Sequence, residues 1–91
     1  MTYVICYDIT DDKRRSHLVN TLLDYGSRIQ ESVFYADLQD GLFKEMRGRV
    51  EKVLARESDV VHIFPLCQAC DGKRIMLGKA TMPAPADYYV V

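Results

Sequence analysis

Apolar positions in this 91-residue chain recur with the two periods that separate strands from helices. The apolar run Tyr3–Tyr7 is short enough to predict a buried first strand, and Asp8 stands at its carboxyl end. A helix is expected next, with Thr10 or Asp11 as its N-cap and Gly26 at its end. Its apolar face is formed by positions at helical spacing: Leu18, Leu22 and Tyr25.

The middle of the chain carries a second strand and a second helix by the same criteria. Residues 28–36 alternate in parity and are rich in β-branched and aromatic side chains, which predicts one continuous strand closed at Asp40-Gly41. Over residues 42–56, apolar positions return with a period of about 3.6, which predicts an amphipathic helix. These positions are Leu42, Phe43, Met46, Val50, Val53 and Leu54.

Three further strands are predicted in the last third of the chain. The run Val60–Leu66 predicts a strand that Pro65 stops, since proline cannot donate to a ladder. Arg74–Leu77 predicts another. Met82–Ala86 has the composition of an extended linker, which leaves Tyr88–Val91 as a short terminal strand.

A further strand or a long loop is expected between the second strand and the second helix. The order is then strand, helix, strand, strand or long loop, helix, strand and strand, which the split βαβ pattern of ferredoxin-like folds accommodates. We therefore expect an α+β protein, with a ferredoxin-like βαββαβ sandwich over residues 1–81 and an extra C-terminal strand. Residues 82–91 form the linker and that strand, which is predicted to pair with a neighbouring copy because an apolar strand needs a sheet edge. The expected assembly is a homodimer that exchanges its terminal strands.

Composition places the chain among ordinary globular domains, with 48% hydrophobic and 27% charged residues. No apolar stretch approaches the length needed to cross a bilayer, and no signal-peptide pattern opens the chain. We therefore expect no membrane partner and a cytoplasmic location. Three cysteines are too few, and odd in number, for a disulfide framework.

Cys67 and Cys70 have the C-x-x-C spacing, whose meaning depends on its surroundings. A zinc site needs a second ligand pair, and the remaining candidates stand at no ligand spacing: Cys6, His17 and His62. A thioredoxin-like motif opens a helix, whereas this pair precedes a turn signal at Asp71-Gly72. We interpret the pair as part of a loop between strands, and His62 as a histidine of a sheet face.

The net charge of -1 does not indicate a nucleic-acid binder, but the basic residues are unevenly placed. One group follows the first strand, and a second lies along the second predicted helix. The groups are Lys13, Arg14 and Arg15, then Lys44, Arg47, Arg49, Lys52 and Arg56. Two interpretations stay open, namely contacts to phosphates alone and solvated helix faces.

Asp8 also has two interpretations from its position. A carboxylate at the end of a buried run either hydrogen-bonds the turn that follows or serves metal or nucleic-acid chemistry, because it requires solvent or a polar partner.

Two stretches within Tyr3–Leu38 resemble one family. The first is Tyr-Asp-Ile followed by the arginine cluster Arg14-Arg15, and the second is Gly-x-Arg-Ile-Gln-x-Ser-Val-Phe over residues 26–34. Together they resemble CRISPR-associated protein two, the small dimeric protein of CRISPR adaptation, in which new spacers are acquired. The resemblance implies a ferredoxin-like homodimer whose two first-strand aspartates face each other across the dimer axis.

The resemblance also implies site residues and partners. Asp8 is then the carboxylate that binds Mg²⁺ or Mn²⁺, with Tyr7 beside it. Positions that support cleavage of RNA or double-stranded DNA are Arg15, Arg28 and Phe34. Members of the family also bridge two dimers of the integrase, CRISPR-associated protein one, around DNA. Phosphate contacts are expected at Arg14, Arg15, Arg28 and Arg47.

His17 stands where several relatives carry another basic residue, so phosphate binding there is expected to depend on pH. Mg²⁺ typically takes one or two carboxylates plus phosphate oxygens, so one Asp8 per chain is a thin ligand set, whereas two from a dimer are sufficient. The residues alone leave another class of function open, a ferredoxin-like module that binds a small regulatory ligand and has no nuclease activity, because a fold does not fix function.

Overall fold

A four-stranded antiparallel sheet carries two helices on one face. The computed structural model describes residues 1–78. In chain order they form β1 (Thr2–Asp8), α1 (Asp12–Leu23), β2 (Ser27–Gln30), β3 (Val33–Asp37), α2 (Asp40–Val53), β4 (Val60–Leu66) and α3 (Gln68–Asp71). The strand order is β2-β3-β1-β4, and every pairing is antiparallel. This arrangement confirms the predicted ferredoxin-like βαββαβ fold.

The core lies between the sheet and the helices. Alternate residues of β1, Tyr3, Ile5 and Tyr7, are buried on one face of the sheet, as the period of a half-covered strand requires. Phe34 and Ala36 of β3 pair with β1 on that face. The helices contribute their predicted apolar positions to the same cluster: Leu18 and Leu22 from α1, Met46 and Val50 from α2.

Helix α1 begins as predicted. The Asp11 side chain caps it by accepting a hydrogen bond from the Arg14 backbone N–H at 2.9 Å, which satisfies one of the free amides of the first turn. The helix ends at Leu23, ahead of Gly26. A Cβ on Gly26 would lie 2.4 Å from the Tyr35 carbonyl oxygen, so the glycine is required by close approach to β3 rather than by the helix end.

The single strand predicted over residues 28–36 is wrong. The chain reverses at Glu31-Ser32, and β2 and β3 form a hairpin whose register shifts between Arg28 and Gln30. The Glu31 carbonyl accepts hydrogen bonds from the Tyr7 hydroxyl and the Arg28 guanidinium, which hold the reversal in place. No glycine, proline or asparagine marks this turn, and Ser32 alone is only a weak turn signal.

Helix α2 is confirmed with shifted ends. Asp40 and Gly41 belong to its first turn and do not close β3. The helix ends at Val53, before the predicted residue 56, because the Asp59 carboxylate accepts the Ala55 backbone N–H at 2.9 Å and draws the chain into a turn.

The region after α2 differs from the prediction in three places. Strand β4 has the predicted bounds, Val60–Leu66, but Pro65 does not stop it, since β4 pairs only with β1 among residues 1–78 and an edge strand tolerates proline. Cys67 and Cys70 lie in or beside the helical turn α3 instead of a loop. Arg74–Leu77 forms no strand, and Ile75 and Leu77 are about four-fifths exposed, at 81% and 80%.

The predicted linker Met82–Ala86, the terminal strand Tyr88–Val91 and the end of the 1–81 domain lie outside the described residues. Across residues 1–78, every helix is too short or too polar to cross a membrane.

The sheet face opposite the two long helices is here called the open face. Side chains that are partners across antiparallel strands share a face, which assigns Val4, Cys6 and Asp8 of β1 to it. Its apolar members that are partly or largely exposed are Val4, Cys6, Val33, Val60, Phe64 and Leu66.

Candidate functional site

A polar cleft opens at the carboxyl end of β1. Its volume is about 660 Å³, and its lining combines this strand end with α1 and the β2–β3 hairpin. The lining residues are Tyr7, Asp8, Ile9, Arg15, Arg28, Glu31 and Ser32. The fold thus brings together four of the five residues that the resemblance implied for catalysis.

Asp8 is the last residue of β1, and its side chain is exposed. No other group in the described part of the chain donates a hydrogen bond to its carboxylate. The interpretation that Asp8 caps the following turn is therefore not realised, because Asp11 performs that task. An exposed carboxylate without an internal partner is available to a cation or to solvent.

Tyr7 precedes Asp8 in β1, and its side chain is buried. The Tyr7 hydroxyl donates to the Glu31 carbonyl at 2.8 Å, and the ring centroid lies 6.2 Å from that of Phe34. Tyr7 therefore fixes the hairpin against the sheet, and its proton is committed to this contact.

Two arginines stand at the rim of the cleft. Arg28 donates to the Glu31 carbonyl through Nε at 3.0 Å and also through Nη2. Arg15 donates through Nη1 to the Ile9 carbonyl at 3.0 Å and forms an ion pair with Asp12. Backbone oxygens hold both guanidinium groups in place, and neither group forms an ion pair with Asp8.

Arg14 lies elsewhere, against the start of β4. Its Nε donates to Asp59 at 2.7 Å and its Nη2 at 3.2 Å, which is the forked geometry that suits a carboxylate. The Asp59 side chain is fully buried. Hydrogen bonds from Arg14 and from the Ala55 backbone lower the pKa of Asp59, and the same contact raises the pKa of Arg14.

The remaining predicted positions are dispersed. Phe34 is completely buried in the core, so its ring lies beneath the cleft and not on its surface. Arg47 is exposed on α2 and pairs with Glu51 at 3.0 Å. Arg49 pairs with Asp24 at 2.9 Å. His17 is exposed on α1, and His62 is exposed on the open face with its ring 5.9 Å from that of Phe64.

No group of three or more His, Cys, Asp or Glu side chains within residues 1–78 is placed to hold a metal ion. Asp8 nevertheless supplies an oxygen ligand of the kind that Mg²⁺ and Mn²⁺ prefer, and Mg²⁺ keeps most of its waters when it binds through one or two carboxylates. The Asp8 carboxylate therefore fits such an ion as a single ligand.

A second polar cluster, which sequence patterns did not reveal, lies at the opposite end of the open face. The buried Asp71 carboxylate accepts the Tyr35 hydroxyl at 2.8 Å and the Thr2 hydroxyl at 3.5 Å, and it pairs with Arg74. Burial and the hydrogen bond to Asp71 raise the pKa of Tyr35. This cluster anchors α3 to β1 and β3.

The fold and the cleft define a small α+β protein with an exposed carboxylate and two arginines at the end of its first strand. A family model described as CRISPR associated protein Cas2 matches residues 1–74. The chain belongs to this family, which is the one that the motifs resemble.

Named relatives agree with that assignment. The chain is 42% identical over 83 residues to CRISPR-associated endoribonuclease Cas2 4 of Rhodospirillum rubrum, with 91% of this chain and 66% of the relative covered. It is 37% identical over 81 residues to CRISPR-associated endonuclease Cas2 2 of Thermus thermophilus, with 89% and 86% covered.

Solved structures share the fold. A hypothetical protein from Thermus thermophilus superposes with a TM-score of 0.80 at 36% identity, covering 91% of this chain and 96% of that one. A chain of a structure described as a partial Cas6-RT-Cas1–Cas2 complex superposes with a TM-score of 0.70 at 21% identity, covering 84% and 89%.

Proposed function

We propose that this chain acts in CRISPR adaptation as a nucleic-acid-binding homodimer that bridges subunits of the Cas1 integrase, and that it is also a metal-dependent endonuclease. The observation that carries the proposal is Asp8, an exposed carboxylate without an internal partner among residues 1–78 that lines the same cleft as Arg15 and Arg28. Two relatives are named endoribonuclease and endonuclease, and one structural neighbour is described in a complex with Cas1.

The homodimer is supported by the open face. Asp8 shares that face with Val4 and Cys6, whose side chains are only partly covered. Apolar groups left in water favour association, since each square ångström removed from water contributes about 25 cal/mol. Two copies joined through this face would bring their Asp8 carboxylates toward a common axis, where both would be available to hold one ion.

Asp8 of each copy would hold Mg²⁺ or Mn²⁺, which activates a water and stabilises negative charge on a scissile phosphate. The chain's own contribution is electrostatic. Arg15 and Arg28 are positioned by the Ile9 and Glu31 carbonyls, so each presents positive charge to a phosphate without reorganising. Tyr7 keeps the hairpin wall of the cleft in place.

Duplex binding away from the cleft is assigned to exposed cations on α2. Arg47 and Lys52 are exposed, and a side chain that contacts phosphates alone recognises the shape of the backbone and not its sequence. Affinity should therefore fall steeply as salt rises. Arg14 is a weaker candidate than the sequence suggested, because Asp59 occupies its guanidinium.

The deciding experiment measures cleavage of short duplex DNA and of single-stranded RNA, with Mg²⁺, with Mn²⁺ and with EDTA. Asp8→Asn should abolish metal-dependent cleavage, whereas Asp37→Asn should not, because Asp37 is an exposed carboxylate at the end of β3 outside the cleft. Salt-dependent duplex binding should survive in both variants.

Equal cleavage by the wild type and Asp8→Asn would overturn the endonuclease proposal and leave the bridging role. If the wild type neither binds duplex DNA nor cleaves either substrate, both proposed roles are wrong, and a regulatory module that binds a small ligand is favoured.

A further inference from the structure

Cys67 and Cys70 face each other across one helical turn. Cys67 is the N-cap of α3, and its Sγ accepts a hydrogen bond from the Cys70 backbone N–H at 3.4 Å. The Cys67 carbonyl accepts the Asp71 N–H at 2.9 Å, which closes the turn. Residues three apart in such a turn have Cα atoms about 5 Å apart, within the range that a disulfide spans.

Both side chains are open to solvent, and both thiols are free. Their surroundings make them chemically unequal. Hydrogen bonds from Cys70 lower the pKa of Cys67, while the neighbouring Cys67 sulfur raises the pKa of Cys70. Because the thiolate is the nucleophile, Cys67 is suited to attack and Cys70 to follow as the resolving thiol.

We propose that Cys67 and Cys70 form a redox-active dithiol that exchanges with small disulfides, a modification site separate from the Asp8 cleft. The Cys67 thiolate attacks a disulfide R–S–S–R, which forms a Cys67–S–S–R bond and releases RS⁻. Cys70 then loses its proton to solvent and attacks the Cys67 sulfur, which releases a second RS⁻. The pair is oxidised by two electrons, the small disulfide is reduced, and the released thiolates take up two protons.

The site adjoins the buried cluster at the end of the open face. Asp71 follows Cys70 directly and holds the turn against Thr2 and Tyr35. This anchoring keeps the two cysteines in a helical turn, so the folded chain prepares them for closure. Cys6 lies half-buried on β1, outside the α3 turn. Its rate of reaction therefore serves as the internal reference for the rate at which Cys67 and Cys70 react.

The test treats the full chain with glutathione disulfide at neutral pH, blocks remaining thiols and analyses tryptic peptides by mass spectrometry. Cleavage after Arg56 and Lys73 places Cys67 and Cys70 in one peptide and Cys6 in another. The wild-type peptide 57–73 should lose two hydrogens and carry no adduct, before Cys6 reacts. Cys70→Ser should accumulate a glutathione adduct at Cys67, and Cys67→Ser should react more slowly at Cys70.

A wild-type peptide carrying two separate adducts would overturn the proposal, as would a closure rate no faster than the reaction of Cys6. The same assay on urea-unfolded protein controls for the C-x-x-C spacing itself. Closure should be faster in the folded chain, and equal rates would show that the α3 geometry has no part in it.

Discussion

Asp59 illustrates how one side chain can organise a chain of this size. Its buried carboxylate accepts hydrogen bonds from Arg14 on α1 and from the Ala55 amide after α2, so it joins the two helices to the start of β4. A buried carboxylate is stable only when its oxygens have such partners. In the basic cluster that resembled a phosphate site in the sequence, Arg14 therefore has a structural role.

The first prediction concerns pH. The folded-state pKa of Asp59 is lowered, so its contribution to stability is present above the unfolded value of about 3.9 and is lost as pH falls through the lower folded value. Chemical denaturation should find the wild type more stable than Asp59→Asn by a constant margin from pH 5 to pH 7. That margin should shrink below about pH 4. A margin independent of pH down to pH 3 would contradict the assignment.

The second prediction separates a positioning role from a chemical one. Tyr7→Phe removes the hydrogen bond to the Glu31 carbonyl, which Arg28 still contacts, and should lower the free energy of unfolding by about 1 kcal/mol. Metal-dependent cleavage should persist. Tyr3→Phe is the matched control with a smaller expected loss, because that ring stacks on Phe43 and its hydroxyl has no hydrogen-bond partner among residues 1–78. Cleavage lost as completely as in Asp8→Asn would show that the Tyr7 hydroxyl takes part in the reaction.

At the scale of single residues, the sequence indicates which side chains are charged but not which of them form ion pairs. Asp8 was identifiable because it ends an apolar run. The pairing of Arg14 with Asp59 spans 45 residues and depends on the final packing of α1 against the connection after α2.

At the scale of elements, periodicity predicted most of the fold. The strands β1 and β4 and the helices α1 and α2 each have a continuous apolar pattern, and each was located to within a few residues. The turn between β2 and β3 and the helix α3 were not located, because side chains distant in sequence stabilise them. Glu31 is held by Tyr7, and α3 is held by Tyr35 and Thr2 through Asp71.

The third prediction tests the approach of α1's end to β3. Gly26→Ala places a Cβ 2.4 Å from the Tyr35 carbonyl oxygen and 2.7 Å from the Ala36 Cβ, and it should cost about 2 kcal/mol of stability through overpacking. Gly48→Ala is the control, because nothing lies within 4 Å of a Cβ there and the site is inside α2. That variant should gain about 0.5–1 kcal/mol from helix propensity. Denaturant titrations of both variants give the comparison, and equal effects would refute the close-approach argument.

At the scale of the whole molecule, the two faces of the sheet differ in how much of their apolar surface is covered. The two long helices cover one face, while the open face leaves Phe64 51% exposed beside half-buried aliphatic groups. Apolar patches of this kind mark association surfaces in soluble proteins.

The fourth prediction uses this asymmetry. Phe64→Lys should convert the proposed homodimer to a monomer, because a charge would have to be buried in the contact. Leu42→Lys should leave the dimer intact, since Leu42 is equally exposed at 49% but lies on α2. Sedimentation velocity or light scattering measures the mass of each variant. A dimeric Phe64→Lys protein would exclude the open face as the contact.

The central place of β1 has a consequence for synthesis on the ribosome. β1 is made first, yet its two neighbours in the sheet are β3 and β4, so its second edge stays unpaired until Leu66 has left the exit tunnel. For most of translation the nascent chain therefore carries an apolar strand with an open edge. Arrested chains that end before β4 should be the species that chaperones bind, and release should coincide with the emergence of β4.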